Sequence, residues 1–394
     1  MNRVAPKEVP IGDVVVKATS WNPVRDAAND DITYIDLSAI DNVTKAVSGF
    51  QSLAGRDAPS RARQLVRAGD ILVSTVRPNL NGVARVPHEL DGATASTGFC
   101  VLRPRSGKID PSFLFHWVQS PNFVDDMVRK ATGASYPAVS DKIIFQSEIP
   151  LPPIEEQKRI AAILDQADEL RRKRQRAIDR LNQLGQAIFD EMFGMVENTA
   201  KLEDFITKIE SGKSLVGNDD ARVGGHRVLK ISSVGKGGFD PKETKPLPDG
   251  YSPPASHLVR DGDLLFSRAN TAELVGLACI VDQAPENTAL PDKIWRLKID
   301  PKRANKRYVE QLFKQASVRR QLEQVCSGTS GSMKNISQPK LLNITIPSAD
   351  LASQNLFSDR YEALLALRQQ SQKSWSNLQA LHLSLQHRAF QGEL

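Results

Sequence analysis

Ser140-Asp-Lys-Ile-Ile-Phe-Gln-Ser-Glu-Ile149-Pro150 returns 197 residues later as Ser337-Gln-Pro-Lys-Leu-Leu-Asn-Ile-Thr-Ile346-Pro347. The offset is the same at both ends of the tract. Downstream it pairs Gln157 with Gln354, Leu181 with Leu378, Leu184 with Leu381, Ile188 with Leu385 and Phe193 with Phe390. Upstream it drifts by a few residues, as loop insertions produce. There Gly69-Asp70-Ile-Leu-Val-Ser74 corresponds to Gly262-Asp263-Leu-Leu-Phe-Ser267, Gly98-Phe-Cys-Val-Leu102-Arg103 to Lys293-Ile-Trp-Arg-Leu297-Lys298, and Phe113-Leu114 to Tyr308-Val309. Self-similarity of this extent means one structural unit encoded twice.

Each copy opens with short apolar-alternating runs bounded by Gly, Pro, Asn and Asp, the signature of strands. In the first copy they are 32–37, 70–76 and 98–102; in the second, 228–231, 263–266 and 294–299. A helical stretch follows (111–132 and 306–326), then a polar Gly/Ser loop and a short strand ending at Ile-Pro. A long helix closes each copy. The fold class is therefore α+β: two pseudo-twofold-related domains of short strands and helices, separated by two long helices. Boundaries fall at 1–152, 153–197, 198–349 and 350–394.

The first long helix starts after Pro152-Pro153, with Glu155 and Glu156 complementing its positive end. Seam positions recur at Ile163, Ala167, Leu170, Arg174, Ala177, Leu181, Leu184 and Ile188, in steps of four and three that define a coiled coil. The second helix repeats the spacing at Leu364, Leu367, Ser371, Ser374, Leu378, Leu381 and Leu385. Antiparallel pairing under a pseudo-twofold axis sets Arg174 opposite Ser374 and Ala177 opposite Ser371. Leu170 then faces Leu378, and Leu181 faces Leu367. At ~1.5 Å per residue, about 38 helical residues make a bar of roughly 57 Å. An apolar stripe alone denotes only a packing face; the functional content is two like domains held a fixed distance apart, which suits duplex DNA.

The chain carries a formal charge of +6 and a pI near 9.1, compatible with a polyanionic partner. Cys100, Cys279 and Cys326 are scattered, which fits a reducing compartment and neither a disulfide framework nor a zinc site. No run of 18 apolar residues is present and the opening residues lack an apolar signal core, so the expectation is a cytoplasmic protein with no membrane association.

Catalytic patterns fail in turn. The nearest approach to a methyltransferase tetrad, Asp110-Pro111-Ser112-Phe113, lacks the second proline, and its counterpart at 305–308 has none. Gly212-Lys213-Ser214 resembles a phosphate loop, but the glycine required five residues earlier is Thr207. Pro291-Asp292 is not followed by a spaced Glu-x-Lys. The histidines show no metal spacing, and His382 and His387, five apart on a helix, are expected to be exposed. The expectation is a chain that catalyses nothing, holds no metal and binds no cofactor.

Base reading needs two-pronged donors and acceptors, and phosphate anchoring needs cations and small hydroxyls. The loop after each Gly-Asp strand offers both: Ser74, Arg77, Asn79 and Asn81 in the first copy; Ser267, Arg268, Asn270 and Thr271 in the second. The later loops add Ser135, Tyr136 and Lys142, and Ser330, Lys334 and Asn335. For any one of these residues turn chemistry is the stronger explanation; their recurrence in both copies makes them, as groups, the DNA-contact candidates. The run Arg171-Arg-Lys-Arg-Gln-Arg176 leaves three readings open: neutralising phosphates, docking a partner, or a solvated face.

These residues resemble the specificity subunit of type I restriction–modification systems over nearly the whole chain. The most specific pieces are Ile149-Pro-Leu-Pro-Pro-Ile-Glu-Glu-Gln157-Lys-Arg-Ile160, the twin Gly-Asp strands, and Ala389-Phe-Gln-Gly-Glu-Leu394. The second copy departs from the pattern where Pro-Pro-Ile-Glu-Glu-Gln becomes Ser348-Ala-Asp-Leu-Ala-Ser-Gln354. The resemblance implies two target-recognition domains, each reading half of a split target in double-stranded DNA, with the helix pair measuring the spacer. It also implies two modification subunits holding S-adenosylmethionine and two restriction subunits using ATP and Mg, which methylate adenine and cleave DNA. The readings set against it are a stand-alone DNA methyltransferase or nuclease, and a bivalent scaffold binding only proteins.

Overall fold

The computed structural model describes residues 6–215, 225–328 and 333–394. The chain divides into two compact units, Met1–Ile178 with Gln370–Leu394, and Asp179–Gln369. Each long helix (Ile154–Phe193 and Leu351–Phe390) is 40 residues, and each contributes residues to both units.

The duplication is visible as topology. In the first unit a four-stranded antiparallel sheet runs in the order Val83–Arg85, Ile71–Ser74, Phe99–Pro104, Val15–Lys17. In the second the same order is Ala278–Ile280, Leu264–Ser267, Ile294–Ile299, Ile206–Ser211. A further sheet in each contains one parallel pair, Thr94–Ser96 with Asp31–Ile35 and Thr288–Ala289 with Arg227–Leu229. The Ile-Pro tracts are short strands: Ile149 pairs with Val9, and Ile346 with Ala200.

Two local expectations change. The stretch 111–132 is two helices, Pro111–Trp117 and Pro121–Lys130, because the Ser120 hydroxyl accepts from Phe123 N–H and Pro121 restarts the helix at its first position. The second copy breaks likewise, into Lys306–Leu312 and Ala316–Val325. One-turn helices, Asp141–Gln146 and Gln338–Leu342, precede the Ile-Pro strands. Where the second copy lacks Pro-Pro, Asp350 starts the long helix, accepting from Ser353 N–H (2.9 Å) and Oγ–H (2.7 Å).

The residue that caps the start of helix Pro111–Trp117, and likewise of Lys306–Leu312, is tied to a long helix by one glutamine. Gln157 accepts from the Asp110 N–H (2.9 Å) and donates to the Pro152 carbonyl (2.8 Å); Gln354 does the same with Asn305 (2.8 Å) and Ala349 (2.8 Å). Both glutamines are buried. Gln157→Leu strands a donor and an acceptor away from water, and should cost about 2–3 kcal/mol in urea unfolding. Gln354→Leu should match it; a loss below about 1 kcal/mol from either removes this role.

The helix seam needs correction. Leu170, Leu184, Leu367 and Leu381 are 53%, 45%, 54% and 50% exposed. Ala167, Leu364 and Ser371 are buried as expected, while Ile163, Arg174, Ala177, Leu181, Ile188, Ser374, Leu378 and Leu385 are half-buried. The buried line is Leu164, Ile178, Gly185 and Phe189 on the first helix, and Phe357, Leu364, Ser371, His382 and Gln386 on the second. It keeps the four-and-three step but runs one residue further along at Leu164, Ile178, Gly185, Phe189 and His382. Aromatic packing sets that rotation. In the second unit Phe189 and Phe193 meet Phe357 at 5.3 and 5.6 Å between centroids, and Phe193 meets Tyr308 at 4.8 Å. In the first, Phe390 takes the matching place against Phe113 (5.3 Å) and Trp117 (5.0 Å).

Pairing in the second unit is antiparallel: a Cβ at Gly185 would lie against Tyr361 and Leu364, and Phe189 lies against Phe357. Extending the expected Leu181–Leu367 layer places Gly185 opposite Ala363, which Tyr361 and Leu364 flank.

Candidate nucleic-acid interface

Each candidate loop grows from a Gly-Asp turn. Gly69 and Gly262 take left-handed φ of +85° and +75°, a conformation that disfavours other residues. Asp70 then accepts from the Arg67 N–H (2.8 Å), and Asp263 from the Arg260 N–H (2.9 Å). Both carboxylates are buried and paired. Arg103 grips Asp70 with a two-pronged fork (2.8 and 2.7 Å); Arg296 lies 2.8 Å from Asp263 as an ion pair without hydrogen-bond alignment. The strand that follows is thereby anchored before the chain enters the loop.

In the first unit two loops join. Val76 bridges to Ala138, the Val139 N–H donates to the Thr75 carbonyl (2.9 Å), and the Arg77 N–H donates to the Pro137 carbonyl (2.7 Å). The Arg77 guanidinium lies 4.7 Å from the Tyr136 ring centroid, and both side chains are exposed. Among the described residues that guanidinium has no hydrogen-bond or ion-pair partner. A stacked, edge-open arginine is the residue type suited to guanine or phosphate. Asn79, Ser135 and Lys142 are exposed as well. Ser74 donates to the Val76 carbonyl (2.9 Å) and Asn81 Nδ2 to the Gln119 carbonyl (3.1 Å), so these two shape the loop.

The second unit repeats the junction on different side chains. Ala269 pairs with Asn335 and Asn270 with Lys334, while Ser327 bridges Asn335 as Thr132 bridges Ala138. Two candidates leave the surface set here. Ser267 is fully buried and accepts from Asn270 Nδ2 (3.3 Å); Asn270 is buried and accepts from the Thr271 N–H (2.8 Å). Satisfied locally, they fix the turn. Arg268 is half-buried, donating to the Asp292 carbonyl (2.8 Å) with its guanidinium 5.6 Å from the Trp295 centroid. Lys334 donates to the Gly328 carbonyl (2.8 Å), and Asn335 Nδ2 to the Met333 carbonyl (3.3 Å). Thr271 is exposed; Ser330 lies outside the described residues.

A third element escaped the sequence reading. A hairpin of Ile40–Asp41 and Ala46–Val47 stands beside the Arg77 loop, its Lys45 ammonium donating to the Asn81 carbonyl. Its counterpart is Val234–Gly235 with Gly238–Phe239, where Lys236 lies 3.5 Å from Glu273. Two-residue strands carry no alternation to detect; the only signals were Asp41-Asn-Val-Thr-Lys45 and Gly235-Lys-Gly-Gly238, both turn-like.

The basic run is partly neutralised on its own helix: Arg171 and Arg172 pair with Asp168 (2.8 and 2.7 Å), and Lys173 with Glu169 (2.7 Å). His382 is buried instead of exposed, 6.2 Å from the His116 ring, and burial pushes its pKa down to about 4. His387 is exposed as expected. No group of three or more His, Cys, Asp or Glu able to hold a metal occurs among the described residues, and no helix among them is long and apolar enough to cross a membrane.

Residues 61–180 match the family described as "Type I restriction modification DNA specificity domain". The chain is 28% identical to the EcoKI specificity subunit of Escherichia coli K12, across 84% of this chain and 76% of that one. It is 26% identical to the MjaVIII specificity subunit of Methanocaldococcus jannaschii, across 67% and 65%. A structure reported under complex assembly and conformational transition of the type I R-M system aligns with a TM-score of 0.63 at 24% identity, over 99% of this chain and 98% of that one. The type I system S subunit of M. genitalium aligns at 0.59 and 13% identity, over 99% and 97%. The last two likenesses concern the fold.

Proposed function

Since the chain belongs to the family of type I restriction–modification specificity subunits, we propose that each of its units reads one half of a bipartite DNA target. One observation carries this: the same two-loop junction, Val76 with Ala138 and Ala269 with Asn335, is built in both units and furnished with different side chains. Equal scaffolds with unequal surfaces suit two different half-sites. In the first unit Arg77 and Asn79 are the foremost base readers, with Lys142 and Ser135 on the backbone. In the second, Arg268, Thr271 and Lys334 take those roles. The long helices set the spacer between half-sites.

On this reading the chain performs no chemistry. Modification subunits bring S-adenosylmethionine and transfer its methyl group to adenine; restriction subunits bring ATP and Mg and cut the DNA. The chain tells them where. Long-read mapping of methylated adenines in host DNA, with and without this gene, tests the proposal. The expected result is loss of one bipartite motif when the gene is deleted. An unchanged methylome defeats the reading, and so does methyl transfer from radiolabelled S-adenosylmethionine by the purified chain alone.

A further inference from the structure

Four non-glycine residues among those described have positive φ, and three of them, Lys45 (+55°), Arg77 (+50°) and Asn81 (+50°), meet at one place. Each is a conformation that a residue with a side chain rarely adopts, and it persists only where its surroundings hold it. Arg77 and Asn81 bracket a single turn, Pro78–Leu80, that displays Asn79. The near end of that turn is held by the Arg77 N–H on the Pro137 carbonyl (2.7 Å). Its far end is held by Asn81 Nδ2 on the Gln119 carbonyl and by the Lys45 ammonium on the Asn81 carbonyl.

Lys45 sits at the foot of a hairpin tip stiffened by Asp41, whose Oδ1 accepts from the Val43 and Thr44 N–H groups (2.7 and 3.2 Å). It is half-buried, and burial lowers its pKa to about 8. Arg171 and Asp168 of the long helix, with Asp41, supply the charges it feels. One ammonium thus faces the hairpin, the end of the readout turn and the helix that carries the basic run.

We infer that Lys45 is a positioning residue for base reading in the first unit: it clamps the Arg77–Asn81 turn in its left-handed geometry and never touches DNA. This deepens the DNA-reading proposal and rests on it. Lys45→Met keeps the stem and removes the charge and the donors, so the turn relaxes. Lys236, the counterpart in the second unit, is exposed and pairs with a side chain at 3.5 Å, so no such clamp exists there.

The test uses the full chain assembled with its modification subunit and a library randomised at each half-site in turn. With Lys45→Met, discrimination against wrong bases should fall about tenfold in one half-site and remain intact in the other, since a misplaced bidentate contact forfeits its selectivity. The salt slope of binding should not move, because no phosphate contact is lost. Lys45→Gln retains a donor on a shorter stem and should give about a threefold loss with the same pattern, which carries the test should the methionine variant fail to assemble. Unchanged discrimination in both half-sites overturns the inference. So does a slope reduced by about one, which marks Lys45 as a phosphate contact. A wild-type assembly with no base preference defeats the underlying reading instead, and is distinguishable because it precedes any mutation.

Discussion

Arg296→Met is expected to lower the unfolding free energy of its unit by on the order of 3–5 kcal/mol, the cost of leaving a buried charge uncompensated. Arg296 is only 3% exposed and is the centre of a charged cluster. Its guanidinium lies 3.0 Å from Glu210, donates to the carbonyls of Ser256 (2.9 Å) and Leu258, and pairs with Asp263 at 2.8 Å. Methionine fills the volume but leaves the buried Asp263 carboxylate and the Ser256 and Leu258 carbonyls without their guanidinium, while Glu210 keeps Lys208 at 2.9 Å. Lys298, at 3.7 Å from Asp263 and 3.9 Å from Glu210, is too exposed to replace it. Urea unfolding followed by tryptophan fluorescence, with Trp295 on the same strand, reports the loss. A change under about 1 kcal/mol would show that the cluster is solvated and the ion pairs are incidental.

The first unit supplies a control. Asp70 receives its guanidinium from Arg103, which corresponds to Lys298; the position corresponding to Arg296 is Val101. Strand side chains repeat every second residue, so positions two apart share a face and either can reach the aspartate. Arg103 serves one carboxylate and the Leu65 carbonyl (3.3 Å), and its side chain is 17% exposed, so Arg103→Met should cost less than Arg296→Met. The Gly-Asp turn is the invariant of the design; its cationic partner has migrated along the strand.

What the sequence made legible was whatever repeated as apolar pattern or backbone necessity. Gly69-Asp70 and Gly262-Asp263 announced strands because glycine permits the turn and aspartate caps it. The Ile-Pro tracts announced the ends of both copies. Polar residues in apolar places were illegible. Gln157, Gln354, His382 and Gln386 are buried because backbone or helix-pair geometry receives them, and hydrophobicity gives no warning of that. Choosing leucines accordingly moved much of the seam by one residue, onto Leu170, Leu184, Leu367 and Leu381. At the candidate interface, recurrence in both copies picked out loops that join in each unit. It did not separate Arg77, whose guanidinium is open, from Ser267 and Asn270, which are closed on each other. That distinction depends on which way a side chain turns inside a loop, and spacing along the chain does not encode it.

Lengthening both long helices by four residues, after Arg176 and after Ser371, should shift the preferred spacer while leaving both half-sites unchanged. These two points lie close to opposite each other in the expected antiparallel register, so the pair grows without slipping. Four residues add about 6 Å of helix, and a base pair advances about 3.4 Å, so the shift should be one to two base pairs. Against the original spacer, only one half-site is engaged at a time, and affinity should fall by at least about 100-fold toward the non-specific level. Four residues are also a tolerated irregularity in a seven-residue repeat, unwinding the pair locally without burying its polar face. The measurement is the methylated motif read from DNA after expression of the lengthened chain with its modification subunit. A motif with new half-sites and the old spacer would mean that the recognition loops, not the helices, respond to helix length. A motif unchanged in both would mean that the spacer is set by a partner subunit.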